Sequence, residues 1–190
     1  MNYGHGKVSS MNRSFTHEGE PATMYPLVVR EASHADIRVI SELLGDAFAE
    51  FEALYTPEAY VATVLPADGV RKRLDEGPVW VAERKSAVIG TVAVISVSNA
   101  LMMRGMAVHP TARGLGVARK LLREVENFAR QNAHKQLSLF TTPFLTQAIS
   151  MYQSAGFRFT GEAANPHGTR LLHMVKALGL RNAGYEASQL

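Results

Sequence analysis

The 190-residue sequence contains no cysteine. This absence excludes disulfide bonds, thiolate ligands for zinc or iron–sulfur clusters, and a catalytic thiol. A covalent acyl-cysteine intermediate is therefore excluded as well. The sequence also lacks an apolar run near the roughly 18 to 20 residues that a membrane-spanning helix needs. Its first residues lack the apolar core of a signal peptide. We therefore expect a cytoplasmic protein that has no contact with a membrane.

Patterns of metal ligands are missing too. The seven histidines are scattered, and no two of them have the His-x-x-x-His spacing of a ligand pair. Because thiolate ligands are absent as well, we expect no metal site.

The basic residues do not collect into one long run of the sequence. The net charge is +3, and the densest basic cluster is Arg71, Lys72 and Arg73, which we interpret as solvated surface. The sequence pI near 9.3 raises the alternative of a nucleic-acid-binding protein. No patch of interleaved basic and aromatic residues supports that alternative, so an anionic small ligand is favoured and no nucleic-acid partner is expected.

The length is sufficient for one domain with a sizeable core and short for two. Residues 1–24 are polar and aperiodic, which predicts a disordered leader. Residues 25–177 carry the periodic patterns and are predicted to form the domain. Residues 178–190 are predicted to be a loose C-terminal tail.

Strand and helix patterns alternate through the domain. Strands are predicted at 26–32, 78–84, 87–97, 101–108, 136–142, 157–160 and 169–177. Helices are predicted at 35–51 after the cap Ser33, from Pro57 through 65, near 70–74, at 116–132 and at 145–155. The segment 161–168 is predicted to be a loop. This order indicates one α/β domain with a mixed sheet and crossover helices on both faces.

The stretch MAVHPTARGLGVARKLL, residues 106–122, is predicted to run from a strand into a helix. Apolar residues recur three and four positions apart after Gly116, so the helix begins at the glycines. Its first N–H groups have no carbonyl partners within the helix, and glycine lets a ligand approach them closely. Arg113 adds a positive charge just before them. The pattern predicts a phosphate or pyrophosphate site at the helix N-terminus.

The same turn is compatible with a purely structural role, in which the glycines close a tight turn and Arg113 is solvated. The sequence of the turn does not match the motifs of two known phosphate-binding loops. A nucleotide P-loop needs Gly-Lys-Ser or Gly-Lys-Thr, which is absent. The dinucleotide-binding fingerprint needs a glycine where Arg119 stands and an acidic residue about twenty positions later, and both are missing.

The sequence of the turn matches a different motif. The segment from Arg113 to Ala118 reads Arg-x-x-Gly-x-Ala, which resembles the Arg/Gln-x-x-Gly-x-Gly/Ala signature of the GCN5-related N-acetyltransferase (GNAT) superfamily. The segment LSLFTTPFLTQAISMYQSAGFRFTGE resembles that family's next strand and helix, with an Ala-x-x-x-Tyr element ending at Tyr152. The resemblance covers roughly residues 26–176.

The resemblance implies a strongly twisted mixed sheet that splays into a V-shaped cleft between the strands LMMRGMAV and QLSLFTT. It implies acetyl-CoA as cosubstrate and no metal. The residues implied to bind the pantetheine arm through their backbone are Met106, Ala107 and Val108. The residues implied to wrap the pyrophosphate are Arg113, Gly114, Leu115, Gly116, Val117 and Ala118.

The family chemistry is direct attack of an amine on the acetyl thioester in a ternary complex. Tyr152 stands where many relatives keep the general acid for the leaving thiolate, although a core tyrosine with a satisfied hydroxyl is the alternative. Leu145 stands where many relatives have an asparagine that bonds the cofactor's arm. A polar anchor is then missing or supplied elsewhere, for example by Thr142.

The general base is not identified by the sequence. The candidates are Glu50, Glu52 and Glu83, and for each of them an ordinary surface carboxylate is the favoured interpretation. His109 belongs to the His-Pro pair that usually ends the family's strand, so we interpret it as structural.

The resemblance therefore implies an acyltransferase that acetylates a primary amine. The main alternative is a non-catalytic acyl-CoA-binding module of the same fold. The acceptor, either a small molecule or a protein amine, is not identified, and homodimer formation is left open. The methionines Met102, Met103 and Met106 are interpreted as core residues, with one of them left open as a lining residue of the acceptor channel.

Overall fold

The computed structural model describes residues 25–179, and the statements below concern this part of the chain. The predicted leader at 1–24 and the predicted tail beyond residue 179 lie outside the described residues. The strands are β1 (Val28–Glu31), β2 (Val79–Arg84), β3 (Ala87–Val97), β4 (Ala100–Val108), β5 (Gln136–Thr141), β6 (Arg158–Ala164) and β7 (Leu171–Ala177). The helices are α1 (Ile37–Phe48), α2 (Pro57–Thr63), α3 (Ala67–Glu76), α4 (Val117–Gln131) and α5 (Thr146–Ser154). Short 3-10 turns lie at His34–Asp36, Ala49–Leu54, Pro110–Ala112 and Pro166–Gly168.

The seven described strands form one open sheet in the order β1-β2-β3-β4-β5-β7-β6. The pair β4–β5 is parallel and the other pairs are antiparallel. Helix α4 connects the two parallel strands, as a crossover between parallel neighbours requires. The predicted class, a mixed α/β sheet flanked by helices, is confirmed.

Two separate cores cover the two faces of the sheet. Alternation along β2 shows the division, since Trp80 and Ala82 pack on the α4 side while Val79 and Val81 pack on the side of α1. Helix α4 contacts β2, β3 and β4, and helix α1 contacts β3 and β4 from the opposite face. The helices therefore lie on both faces, as their amphipathic patterns predicted.

Close packing fixes the start of α4 against the sheet. A Cβ atom added at Gly90 of β3 would lie 2.6 Å from Cγ1 of Val117 and 3.1 Å from Cδ1 of Leu121. Real side chains do not reach such distances, so glycine at this position lets the first turn of α4 rest directly on β3. The N-terminus of α4 is thereby held beside the end of β4.

The strands β4 and β5 pair only over part of their length. The ladder joins Ala100–Met103 to Gln136–Leu139, and β4 then continues to Val108 without a partner on its β5 side. Strand β5 continues along β7 instead. This divergence is the splay that the resemblance implied.

A β-bulge interrupts β4 just after the splay begins. Ala93 pairs with Arg104 and Thr91 pairs with Ala107, so one extra residue lies on β4 between these pairs. Gly105 adopts a left-handed φ of +59° there, a conformation that glycine takes without strain. Bulges of this kind redirect side chains, and they are frequent next to active sites.

Two predicted boundaries were wrong. The segment 161–168 was predicted to be a loop, but β6 continues to Ala164, where Ala163 and Ala164 pair with Leu172 and Leu171 of β7. This edge strand is almost entirely exposed, so backbone pairing rather than apolar alternation forms it. The first long helix also ends at Phe48, and the chain tightens into a 3-10 turn beyond it.

Candidate functional site

A cleft of about 380 Å³ opens where β4 and β5 separate. Such a volume is within the usual range of small-ligand sites. It brings together eight of the residues that the sequence implicated: Met106, Ala107, Val108, Arg113, Gly114, Val117, Ala118 and Tyr152. Leu115 and Gly116 belong to the same turn but do not line the cleft, and Leu115 is exposed to solvent.

The glycine turn at the mouth of α4 depends on its backbone conformation. Gly114 and Gly116 both have a left-handed φ of +79°. A Cβ atom at either position would meet no other atom within 4 Å. These positions therefore require glycine for its φ angle and leave open space in front of the backbone, rather than avoiding a clash within the protein.

The first N–H groups of α4 are not used by the protein. The N–H groups of Gly116, Val117 and Ala118 donate no hydrogen bond to any residue from 25 to 179. No side chain in this range caps the helix. These donors lie at the positive end of a 15-residue helix dipole. The turn therefore presents several unpaired donors to an anion.

Arg113 does not stand free over this turn. Its guanidinium pairs with the Glu50 carboxylate, and its Nη2 donates to the Ala47 carbonyl at a distance of 3.0 Å. Both partners lie at the C-terminal end of α1 and just beyond it, so the side chain ties the turn to this helix. The sequence suggested direct binding of phosphate by Arg113, and this role stays a prediction.

Tyr152 projects from α5 into the cleft wall and is 7% exposed. Its hydroxyl donates to Sδ of Met106 at 3.5 Å, and its ring packs edge-on against Phe157. Burial raises the pKa of the Tyr152 phenol above its usual value, so the group stays protonated at neutral pH. A thioether is a weak acceptor, and the phenol is therefore not held by a strong internal partner.

Aromatic side chains form the wall of the cleft on the α1 side. Phe48, Phe51 and Phe144 line it. The rings of Phe51 and Phe144 are stacked 6.3 Å apart, and Tyr55 meets Phe144 edge-on at 4.8 Å. Sequence reasoning missed this wall because Phe48 and Phe51 occupy apolar helix positions that are expected of any core-facing helix. The cleft therefore offers an apolar surface to part of a ligand.

The three candidate bases lie in different places. Glu50 lines the cleft while paired with Arg113. Glu52 is exposed and does not line it. Glu83 is hydrogen-bonded to Arg30 at the β1–β2 edge, away from the cleft. Of these carboxylates, Glu50 is the one placed to act in the cleft.

Four further residues named from the sequence have clear positions. Leu145 lines the cleft at the start of α5. The hydroxyl of the buried Thr142 has no hydrogen-bond partner of good geometry among the described residues and does not line the cleft, so its role as an anchor stays a prediction. His109 lies outside the cleft lining and caps the turn at Pro110, which is a structural role. Met103 is buried in the core.

Metal clusters and membrane-spanning helices are both absent from residues 25–179. No group of three or more histidine, aspartate or glutamate side chains in this part could hold a metal ion. None of its helices is long and apolar enough to cross a bilayer.

Comparison with protein families gives a match to the Acetyltransferase (GNAT) domain over residues 75–159. This range includes β4, the glycine turn, α4, β5 and Tyr152 on α5. Human N-acetyltransferase 8B is 34% identical over 90 residues, which are 44% of this chain and 40% of the relative. Mouse probable N-acetyltransferase family 8 member 5 is 34% identical over 113 residues, which are 54% of this chain and 50% of the relative. The chain therefore spans about half the length of these relatives.

Solved structures share the fold. The ribosomal-protein-alanine N-acetyltransferase of Brucella melitensis superimposes with a TM-score of 0.66 at 24% identity, covering 80% of this chain and all of that protein. The PaiA N-acetyltransferase of Thermoplasma acidophilum in complex with coenzyme A superimposes with a TM-score of 0.67 at 17% identity, covering 80% and 99%. At these identities the likeness concerns the fold.

Proposed function

We propose that the chain is a member of the GCN5-related N-acetyltransferase superfamily and that it transfers an acetyl group from acetyl-CoA directly to a primary amine. The observation that carries this proposal is the cleft between β4 and β5. It is lined by Val117 and Ala118, whose backbone N–H groups are unpaired, and by Tyr152, whose phenol is protonated.

The donor site is proposed to follow the edge of β4 and the start of α4. The backbone of Met106, Ala107 and Val108 lies on a strand edge that β5 has left, so an extended pantetheine arm can add there like a strand. The turn from Arg113 to Ala118 would hold the pyrophosphate through its N–H groups. Acetyl-CoA would supply the activated thioester.

The proposed transfer needs no covalent enzyme intermediate. The neutral amine attacks the thioester carbonyl, a C–N bond forms, and the C–S bond then breaks. Tyr152 donates its proton to the departing sulfur, where negative charge develops. Glu50, the carboxylate of the cleft lining, is proposed to accept the amine's proton through water.

Steady-state kinetics with purified protein test this mechanism. Initial rates measured against both acetyl-CoA and amine should give intersecting lines, because both substrates must be bound together. Parallel lines, or a competent acetylated enzyme detected by mass spectrometry, would contradict direct transfer.

The second candidate function is an acyl-CoA-binding module without turnover. Leu145 favours it, since an apolar side chain lines the cleft where many relatives carry an amide. Calorimetry combined with an amine panel separates the two functions. Acetyl-CoA binding without acetylation of any amine would support the module, and amine-dependent release of free coenzyme A would support the enzyme.

A further inference from the structure

The aromatic wall of the cleft, formed by Phe48, Phe51 and Phe144, presents apolar surface that the protein does not fully bury. Phe48 is buried in the core on the α1 side, and Phe51 packs against the same core but stays half-buried. Among the described residues, Phe144 packs against neither core, and its half-buried ring contacts those of Phe51 and Tyr55. Phe51 and Phe144 therefore expose part of their rings to the cleft.

A short turn between β5 and α5 fixes the position of Phe144. The N–H of Leu145 donates to the Thr142 carbonyl at 3.2 Å, and the N–H of Thr146 donates to the Phe144 carbonyl at 2.9 Å. The ring of Tyr55 supports the Phe144 ring edge-on, with centroids 4.8 Å apart. The wall is therefore formed before any ligand binds, which lowers the entropic cost of packing a ligand against it.

The aromatic wall and helix α4 lie on opposite faces of the sheet, on either side of the free edge of β4. Met106 and Val108 pack toward the core of α4, whereas Ala107 between them packs in the core of α1 together with Phe48. In the proposed function, the pantetheine arm follows this edge of β4 and the pyrophosphate lies at the start of α4. The aromatic wall then lies on the side of the thioester that is left for the acceptor.

The charges in the cleft restrict the acceptor further. Glu50 and Arg113 are the charged side chains among the described residues that line the cleft, and they pair with each other. A carboxylate on the acceptor would meet no unpaired cation there, and a second ammonium group would meet no second carboxylate. Because charges removed from water need such partners, the lining favours an acceptor whose amine is its one charged group.

We propose that the acceptor is a primary amine that carries an aromatic ring and no second charged group, as in phenethylamine. This inference rests on the proposed function, because it names the substrate class of the same site. The ring would pack against Phe51 and Phe144, since aromatic rings favour offset-stacked or edge-on arrangements with centroids about 4.5 to 7 Å apart. The amine would lie toward Glu50, which directly precedes Phe51 and is the acidic side chain of the lining.

Matched acceptors separate the contribution of the ring from that of charge. Rates are measured with phenethylamine, with butylamine, which lacks the ring, with phenylalanine, which adds a carboxylate to phenethylamine, and with diaminobutane, which adds a second cation to butylamine. The variant Phe144→Ala removes one ring of the wall. Phe140→Ala is the matched control, because Phe140 is an exposed ring of β5 that stacks on His173 and does not line the cleft.

We expect the wild type to use phenethylamine at least about tenfold better than butylamine, as kcat/KM, because its ring adds buried apolar area. Phenylalanine should be used less well than phenethylamine, and diaminobutane less well than butylamine. Phe144→Ala should lower the phenethylamine-to-butylamine ratio by about 2- to 12-fold, the worth of an aromatic pair, mainly through the KM of phenethylamine. Phe140→Ala should leave this ratio within about twofold.

Two outcomes overturn the proposal. One is a wild type that acetylates phenylalanine or diaminobutane at least as well as phenethylamine. The other is a Phe144→Ala variant that raises the KM of acetyl-CoA and slows phenethylamine and butylamine equally, which would assign the wall to the pantetheine arm. If Phe144→Ala does not fold, Phe144→Leu, which keeps an apolar side chain but no ring, supplies the same comparison.

A binding experiment decides if no amine is acetylated. Calorimetry compares N-acetylphenethylamine with N-acetylbutylamine in the presence of coenzyme A, for the wild type and Phe144→Ala. Stronger binding of the aromatic amide, weakened in Phe144→Ala, supports the aromatic acceptor site while the proposed function fails. Equal binding of the two amides overturns the site.

Discussion

The ionic cluster at the β1–β2 edge and the cleft between β4 and β5 differ in whether their polar groups have hydrogen-bond partners within the chain. In the cluster, Arg30 donates to both oxygens of Asp36, at 2.7 and 2.9 Å, and also to Glu83. In the turn beside the cleft, the N–H groups of Gly116, Val117 and Ala118 have no partner among the described residues. Polar groups that the chain satisfies itself stabilise the fold, whereas those it leaves unpaired indicate where a ligand binds.

Two arginine side chains also differ in their surroundings. Hydrogen bonds to Asp36 and Glu83 raise the pKa of Arg30 above its usual value. Burial and the Arg104 charge lower the pKa of Arg73 instead. The charged form of an arginine side chain is thus favoured at the first site and disfavoured at the second.

The largest effect is expected from Tyr152→Phe, which removes a weakly bonded hydroxyl and keeps the ring. The value of kcat should fall about 10²- to 10⁴-fold, the usual worth of a general acid, while the KM for acetyl-CoA changes little. Thermal stability should be nearly unchanged, because the lost bond goes to a thioether. Tyr60→Phe, outside the cleft, is the control. Near-normal kcat in Tyr152→Phe would identify a core tyrosine.

A somewhat smaller effect is expected at the unpaired donors of α4. Gly116→Val should weaken acetyl-CoA binding at least about 100-fold in calorimetry, since the side chain occupies the space in front of the N–H groups. Gly161→Val is a matched control, because Gly161 also has a left-handed φ and open surroundings but lies on β6. Both variants carry similar backbone strain. Equal losses of affinity in the two would mean that strain, and not blocked binding, is responsible.

A substitution in the ionic cluster of Arg30, Asp36 and Glu83 should change the free energy of unfolding rather than the catalytic rate. The hydrogen bonds from Arg30 hold the pKa of the Asp36 carboxyl at about 2, below its usual 3.8. A depressed carboxyl pKa stabilises the fold above pH 4 to 5, and this contribution is lost as the pH falls toward 2. Asp36→Asn should therefore lower the unfolding free energy by about 2 kcal/mol at pH 7 and by much less at pH 2.5.

Urea denaturation at the two pH values, with kcat measured at pH 7, checks this expectation. A loss of stability that is the same at both pH values would show that charge pairing is not its source.

The smallest effect is expected from Arg113→Ala. Because its guanidinium already bonds Glu50 and the Ala47 carbonyl, removing it should weaken acetyl-CoA binding by less than about tenfold. Calorimetry on Arg113→Ala beside Glu50→Gln checks this. A loss as large as that of Gly116→Val would mean that the guanidinium leaves Glu50 to bind the phosphates.

Most elements of the fold could be predicted from the sequence because their signals are local. The helix spacing after Gly116, the cap at Ser33 and the alternation in β2 are properties of short segments. The two boundaries that were wrong, at β6 and at the end of α1, are places where pairing with a distant strand or a change of helix type decides.

By itself, the sequence determined the elements, the glycine turn and the resemblance to the N-acetyltransferases, since these depend on periodicity, backbone conformation and a short motif. Only the tertiary structure decided that Arg113 meets Glu50, that Glu83 is engaged by Arg30 and that Arg73 is partly buried near Arg104. Residues 63 and 53 positions apart form the first two pairs. No local pattern encodes which charges meet across a sheet, because such encounters depend on how helices pack on both of its faces.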